Sequence, residues 1–160
     1  MFALREQAFL NKGVKILFTD YRVENPETVT LHAEGGIKEF VQYLNRNKDP
    51  LHDDIIYFEA QREDMMVEVA MQYTTSYTES LLSFANNIHT GEGGTHETGF
   101  KSALTKVFND FARKLNFLKE NDKNLSGEDI REGLTCVISV KVLEAQFEGQ
   151  TKQKLGNSEA

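Results

Sequence analysis

Close to the C-terminal end, Gln150, Thr151 and Lys152 follow Gly149 in the polar run Phe147-Glu148-Gly149-Gln150-Thr151-Lys152-Gln153-Lys154-Leu155. An ammonium on a flexible stem beside an amide side chain neutralises an anion and fixes one of its oxygens by point-charge and hydrogen-bond contacts. Gln150 and Lys152 form that pairing. A lysine in a polar loop is also the ordinary solvated surface lysine, so the rest of the chain must supply the context.

Other residues with reactive side chains fall short of a site. Gly94-Thr95-His96-Glu97-Thr98-Gly99-Phe100-Lys101-Ser102 approaches a Gly-x-x-x-x-Gly-Lys-Ser phosphate loop, but Phe100 separates the second glycine from the lysine. That insertion turns Lys101 by about 100° around a helix, away from a phosphate cradle. Gly91-Glu92-Gly93-Gly94-Thr95-His96 lacks the third glycine of a dinucleotide fingerprint. Both read as tight turns into a helix, with Thr95 as the expected N-cap. His32, His52, His89 and His96 show no metal-ligand spacing, so no metal site is expected. Cys136 falls on the apolar phase of a strand and reads as packing, not as a nucleophile. No carboxylates pair in an apolar context suited to acid–base work. A complete active site is missing.

The 160 residues suffice for one domain that buries about 70% of its unfolded surface. A lone cysteine and the lack of a charged, apolar leader point to the reducing cytoplasm. No apolar run reaches the roughly 20 residues that span a bilayer. With 25 acidic against 18 basic side chains, the net charge of −7 argues against sequence-independent coating of nucleic acid, while leaving room for a local basic surface.

The elements that must hold the Gln-Thr-Lys loop follow from periodicity. Phe2 to Leu10 reads as a helix stub, Val14 to Tyr21 and Thr28 to Leu31 as a hairpin about Pro26. Ile37, Phe40, Val41 and Leu44 mark one face of a helix opened by Gly35-Gly36. Ile55 to Ala60, Met66 to Thr74 and Glu79 to Asn86 read as strands of an antiparallel meander with one face buried, the first two joined by a turn at Arg62-Glu63-Asp64. The longest helix follows Gly93-Gly94, with Phe100, Leu104, Val107, Phe108, Phe111 and Leu115 as a wide apolar stripe and Lys101, Lys106, Arg113, Lys114 and Lys119 on its polar side. Ser126-Gly127-Glu128-Asp129 fits a capping box opening a short helix with Ile130 and Leu134. Thr135 to Leu143 alternates Cys136, Ile138, Val140 and Val142 on one face and delivers the chain to the loop. The order predicts an α+β fold with helices packed on a sheet.

Leu4-Arg5-Glu6, Glu34-Gly35-Gly36-Ile37, Tyr43-Leu44-Asn45, Glu68-Val69-Ala70 and Asn86-Asn87-Ile88 stand in the same order as motifs of a known family. Gly93-Gly94-Thr95-His96, Arg131-Glu132-Gly133-Leu134, Ser139-Val140-Lys141-Val142 and Gln150-Thr151-Lys152 with Lys154-Leu155 continue the series. Together they resemble the gyrase B family of bacterial DNA gyrases, with the B subunit of topoisomerase IV as its close relative. The resemblance covers essentially the whole chain. Leu143 and Cys136 depart from the residues common at their positions.

The resemblance implies a transducer domain of the ribosomal protein S5 domain 2-like type, a mixed sheet with helices packed on it. Residues 1–12 would end the connection from a preceding GHKL-type ATPase domain, and residues 13–160 would form the transducer, ahead of a Toprim domain. It further implies that Lys152 reaches the γ-phosphate of ATP as a catalytic group, with Gln150 beside it, while the main ATP and Mg site belongs to the preceding domain. The parent would be an ATP-hydrolysing type II DNA topoisomerase, a homodimer of the full-length chain joined to the gyrase A protein in a heterotetramer, and the isolated stretch would be inactive. Lys106, Arg113 and Lys114 would face a DNA segment passing between the transducers. The loop is expected to swing on Gly149 and to become ordered only beside the nucleotide site. The same module of a topoisomerase IV B subunit, a free-standing nucleic-acid-binding module and a self-sufficient phosphate enzyme are the alternatives.

Overall fold

The strand β7 (Leu134–Val142) is the axis of the fold, because its sequence LTCVISVKV offers small or apolar side chains on both phases of the pleat and only Lys141 is exposed. A strand buried on both faces belongs in the middle of a sheet. The computed structural model describes residues 1–62 and 64–160 and places β7 third in a five-stranded sheet.

Its neighbours are β4 (Met65–Tyr73), antiparallel to it from Met65↔Val142 to Tyr73↔Leu134, and β5 (Ser80–Ala85), parallel to it from Ser80↔Thr135 to Ala85↔Val140. Beyond β4 lies β3 (Ile56–Arg62), and beyond β5 the two-residue β6 (Ile88–His89). The sheet is therefore mixed, and the expected meander with one buried face is corrected: β5 does not pair with β4, because β7 enters between them. A parallel neighbour of β7 requires a long crossover, here supplied by α3 (Thr95–Lys114) and α4 (Gly127–Arg131). Ordering strands by sequence alone misses an insertion of this kind. The turn expected at Arg62-Glu63-Asp64 includes residue 63, outside the described residues.

One side of the sheet is closed by α1 (Phe2–Leu10) and α2 (Ile37–Asn45). Ile37, Phe40 and Val41 are buried there with Leu10, Ala70, Phe84 and Val137, and the Phe9 ring stacks on Phe40 at 4.8 Å. The hairpin of β1 (Lys15–Thr19) and β2 (Thr28–His32) forms a separate two-stranded sheet beside α1.

The other side holds Val69, Met71, Cys136, Ile138 and Val140 against Leu104, Ile130 and Leu155. Here α3 covers the sheet mainly through its first half, with Phe108 tilted against Tyr73 at 6.1 Å. Phe100 and Leu104 pack inward, whereas Val107, Phe111 and Leu115 are 51%, 54% and 60% exposed. Much of the wide apolar stripe is thus open. On the edge strand β3, Ile56 and Phe58 are exposed as well. The Ser126 box closes as expected on the Asp129 N–H, but Leu134 leaves α4 to begin β7. Among the described residues no helix is long and apolar enough to cross a membrane.

Candidate functional site

The chain leaves β7 and folds back on itself. Phe147 pairs antiparallel with Leu155, the Glu148 N–H donates to the Lys154 carbonyl at 2.8 Å, and the Gly156 N–H donates to the Gln146 carbonyl at 2.7 Å. The result is a short hairpin with residues 148–153 exposed at its tip. Gly149 turns the tip at φ 85° with open space around it, and Lys152 takes φ 55°. The left-handed region disfavours a residue with a Cβ by about 1–2 kcal/mol, so closure of the hairpin must hold Lys152 there. Lys154 closes on Glu148 at 2.9 Å, which also raises its pKa through the hydrogen bond. Lys152 is left without an ion pair among the described residues, its ammonium available to an external anion.

The descending limb is fixed to the start of α3. Leu155 is fully buried. Its N–H donates to the Gly93 carbonyl at 3.2 Å, its carbonyl accepts from the Thr95 N–H at 3.1 Å, and the Glu92 N–H donates to the Gln153 carbonyl at 2.9 Å. This approach requires Gly94, at φ 148°: a Cβ there would lie 2.5 Å from the Leu155 carbonyl oxygen. Two expectations change accordingly. The N-cap of α3 is Gly94 and not Thr95, whose hydroxyl has no partner among the described residues, because the Leu155 carbonyl already satisfies the first free N–H. The loop is also not a flap hinged at Gly149 alone, since both limbs are hydrogen-bonded below the tip.

Behind the α3 start lies a polar cluster. The Thr90 hydroxyl donates to the Ser83 carbonyl at 2.9 Å and lies 3.1 Å from His96 Nε2, and Ser83 Oγ donates to Glu97 Oε2 at 2.8 Å. Burial lowers the His96 pKa, partly opposed by the Glu97 carboxylate. Glu97 also holds Lys101 at 2.8 Å, and Glu79 holds Arg131 at 3.0 Å. Cys136 is buried in the sheet with its thiol pKa pushed up by that burial, consistent with packing.

The cations expected to face DNA lie along α3. Lys106, 78% exposed, pairs with Asp110 at 3.0 Å, and the Lys114 ammonium stands over the Phe111 ring at 5.5 Å. Arg113 donates to the Asp122 carbonyl at 2.9 Å and to Asn124 Oδ1 at 2.7 Å, tying down the segment after the helix. These three do not converge on Lys152. The residues that fasten the hairpin, Leu155 and Asn157, escaped the reading by residue type; an apolar residue ending a polar run was the one available signal for Leu155.

Comparison with known proteins matches residues 36–160 to the family model "DNA gyrase B". The B subunit of DNA gyrase from Clostridium acetobutylicum is 62% identical over 157 residues, and that of Streptococcus pneumoniae 60% over 156, each covering 98% of this chain and 24% of the relative. The chain thus spans about a quarter of the length of the curated relatives it matches. Among solved structures, the 43K ATPase domain of Thermus thermophilus gyrase B superposes with a TM-score of 0.85 at 35% identity, covering 99% of this chain and 42% of the other. The B-subunit of DNA gyrase from Myxococcus xanthus superposes with a TM-score of 0.80 at 25% identity, covering 96% of this chain and 42% of that one. On a family match to most of its length and these identities, the chain belongs to the DNA gyrase B family.

Proposed function

We propose that this chain is the transducer module of a gyrase B protein, reading the nucleotide state of an adjacent ATPase domain through Gln150 and Lys152. The observation that carries this reading is the hairpin tip: an ammonium with no ion pair among the described residues and an amide stand exposed on a turn whose descending limb is anchored to the start of α3. Such a tip suits an anion presented by a neighbouring domain. ATP and Mg would be held mainly by the neighbour, with Lys152 and Gln150 adding a contact to the terminal phosphate.

A Lys152 contact to a terminal phosphate exists before hydrolysis and is lost after it. Charge-assisted hydrogen bonds contribute roughly 1.5–3 kcal/mol, which shifts a two-state equilibrium by about ten- to a hundredfold. That suffices to bias a rotation of one domain against another. The same ammonium, held in place beforehand, would stabilise charge that develops on the departing phosphate. In the parent protein this would couple ATP hydrolysis to DNA strand passage by a type II topoisomerase in the cytoplasm, working as a homodimer with the gyrase A protein, with a Toprim domain following. Lys106, Arg113 and Lys114 would line the DNA path.

Lys152→Ala in the intact protein is expected to lower ATP turnover by at least about 100-fold while the fold persists. Turnover near that of the unsubstituted protein would refute the reading.

A further inference from the structure

The hairpin tip is held at its two ends, by Glu148 on Lys154 and by the Gln153 carbonyl on Glu92. Residues 148–153 are exposed, and Lys152 keeps a left-handed backbone among them. The geometry of the tip must therefore be set below it, where the limbs meet. At that base sits Asn157, only 1% exposed. Its Oδ1 accepts from the Gln146 N–H at 2.7 Å, and its Nδ2 donates to the Glu144 carbonyl at 2.9 Å and to Glu159 Oε1 at 2.7 Å. The amide orientation is dictated by these partners, since its oxygen meets an N–H and its nitrogen meets two oxygens. One buried side chain thus bridges the limb rising from β7 to the limb descending from Leu155. A buried amide is ordinarily hydrogen-bonded; what sets this one apart is that two of its three bonds go to backbone groups of the opposite limb.

Resting on the reading of Lys152 as the nucleotide contact, we propose that Asn157 is a positioning residue for Lys152. It acts through the backbone. With Asn157 in place, residues 144, 146 and 157 are held at one spacing, Leu155 stays seated on Gly93 and Gly94, and the tip carries Lys152 at a fixed height above α3. Without it, the rising limb is joined to the seated one only by the Glu148–Lys154 and Gly156–Gln146 backbone bonds, and their spacing has more play. Binding would survive such slack, because a flexible lysine still finds an anion. The alignment needed as the phosphate departs would not, since misplacement by about 1 Å can lower a rate by about 100-fold.

The test uses the intact protein assembled with its gyrase A partner. Asn157→Asp keeps the acceptor for Gln146 but removes both donors and sets a carboxylate against Glu159; Asn157→Ala removes all three contacts. Both are expected to lower kcat for ATP hydrolysis by about 10- to 100-fold with KM for ATP changed less than about threefold, the pattern of an interaction made in the transition state. In the Lys152→Ala background, Asn157→Asp is expected to cause no further fall. Hydrogen exchange is expected to speed up at the Gln146, Glu148 and Gly156 amides and to remain unchanged in β4 and β7.

Wild-type kcat in Asn157→Asp while Lys152→Ala is slow would overturn this proposal alone. So would an additive fall in the double variant, or faster exchange spread through β4 and β7, which would make Asn157 a residue of the general fold. Normal turnover in Lys152→Ala would overturn the nucleotide-sensing reading itself, and this proposal with it.

Discussion

At position 94 a single hydrogen atom separates a docked hairpin from a displaced one. A Cβ would meet the Leu155 carbonyl oxygen at 2.5 Å and its nitrogen at 2.7 Å, both backbone atoms that cannot swing aside. Gly94→Ala is therefore expected to destabilise the chain by at least about 2 kcal/mol in urea unfolding, through overpacking and an unfavourable φ together. A change below about 0.5 kcal/mol would show that Leu155 is not seated there. His96 supplies a second expectation. Burial lowers its pKa below the ordinary 6.5, so the unfolded chain binds more protons than the folded one in the window beneath that value. The stability held by its neutral ring is complete above the unfolded pKa and is lost as pH falls through the window. Melting temperatures are expected to drop as pH falls from about 7.5 to 5, with a smaller drop in His96→Gln; equal slopes would contradict the assignment. Residue type marked Gln150 and Lys152 as a pair suited to an anion, and the order of motifs gave them their proposed role. They were silent on Asn157, whose importance arises from contacts to residues 144 and 146 inside an aperiodic loop. They also misassigned the α3 cap, because the free N–H is satisfied by a carbonyl about sixty positions away rather than by a nearby side chain.

Among the elements, those with local causes were legible. The α2 face at Ile37, Phe40 and Val41 and the Ser126 capping box each depend on residues within a few positions. The position of β5 was not, because strand neighbours are chosen by which strand is apolar on both faces, and that property of β7 acts at long range. Helix α3 shows both outcomes: its span followed from periodicity, but its outward half remains uncovered, with Phe111 and Leu115 exposed. Its cations differ in what they are free to do. Arg113 is committed to the 122–124 segment, so its reversal would disturb that segment as well as the charge. Lys106→Glu with Lys114→Glu is the cleaner test of the proposed DNA path. In the intact enzyme the pair is expected to weaken DNA capture and to reduce the slope of log affinity against log salt by about 2. An unchanged slope would make these lysines a solvated face.

For the molecule as a whole, an overall charge of −7 sets a locally basic helix and a lysine-tipped hairpin against an acidic background. The sheet carries the connection between them. β7 runs through the centre, its end passes into the hairpin, and the hairpin seats on the first turn of α3, so that under the proposed function a pull on Lys152 would be delivered to α3 through Leu155. That the tip reports the nucleotide state is the central claim, and hydrogen exchange in the intact protein tests it without any substitution. With a non-hydrolysable ATP analogue, amides 150–153 are expected to exchange at least about tenfold more slowly than with ADP, in keeping with a contact of roughly 1.5 kcal/mol made only to the terminal phosphate. Equal exchange of those amides in the two nucleotide states would contradict it.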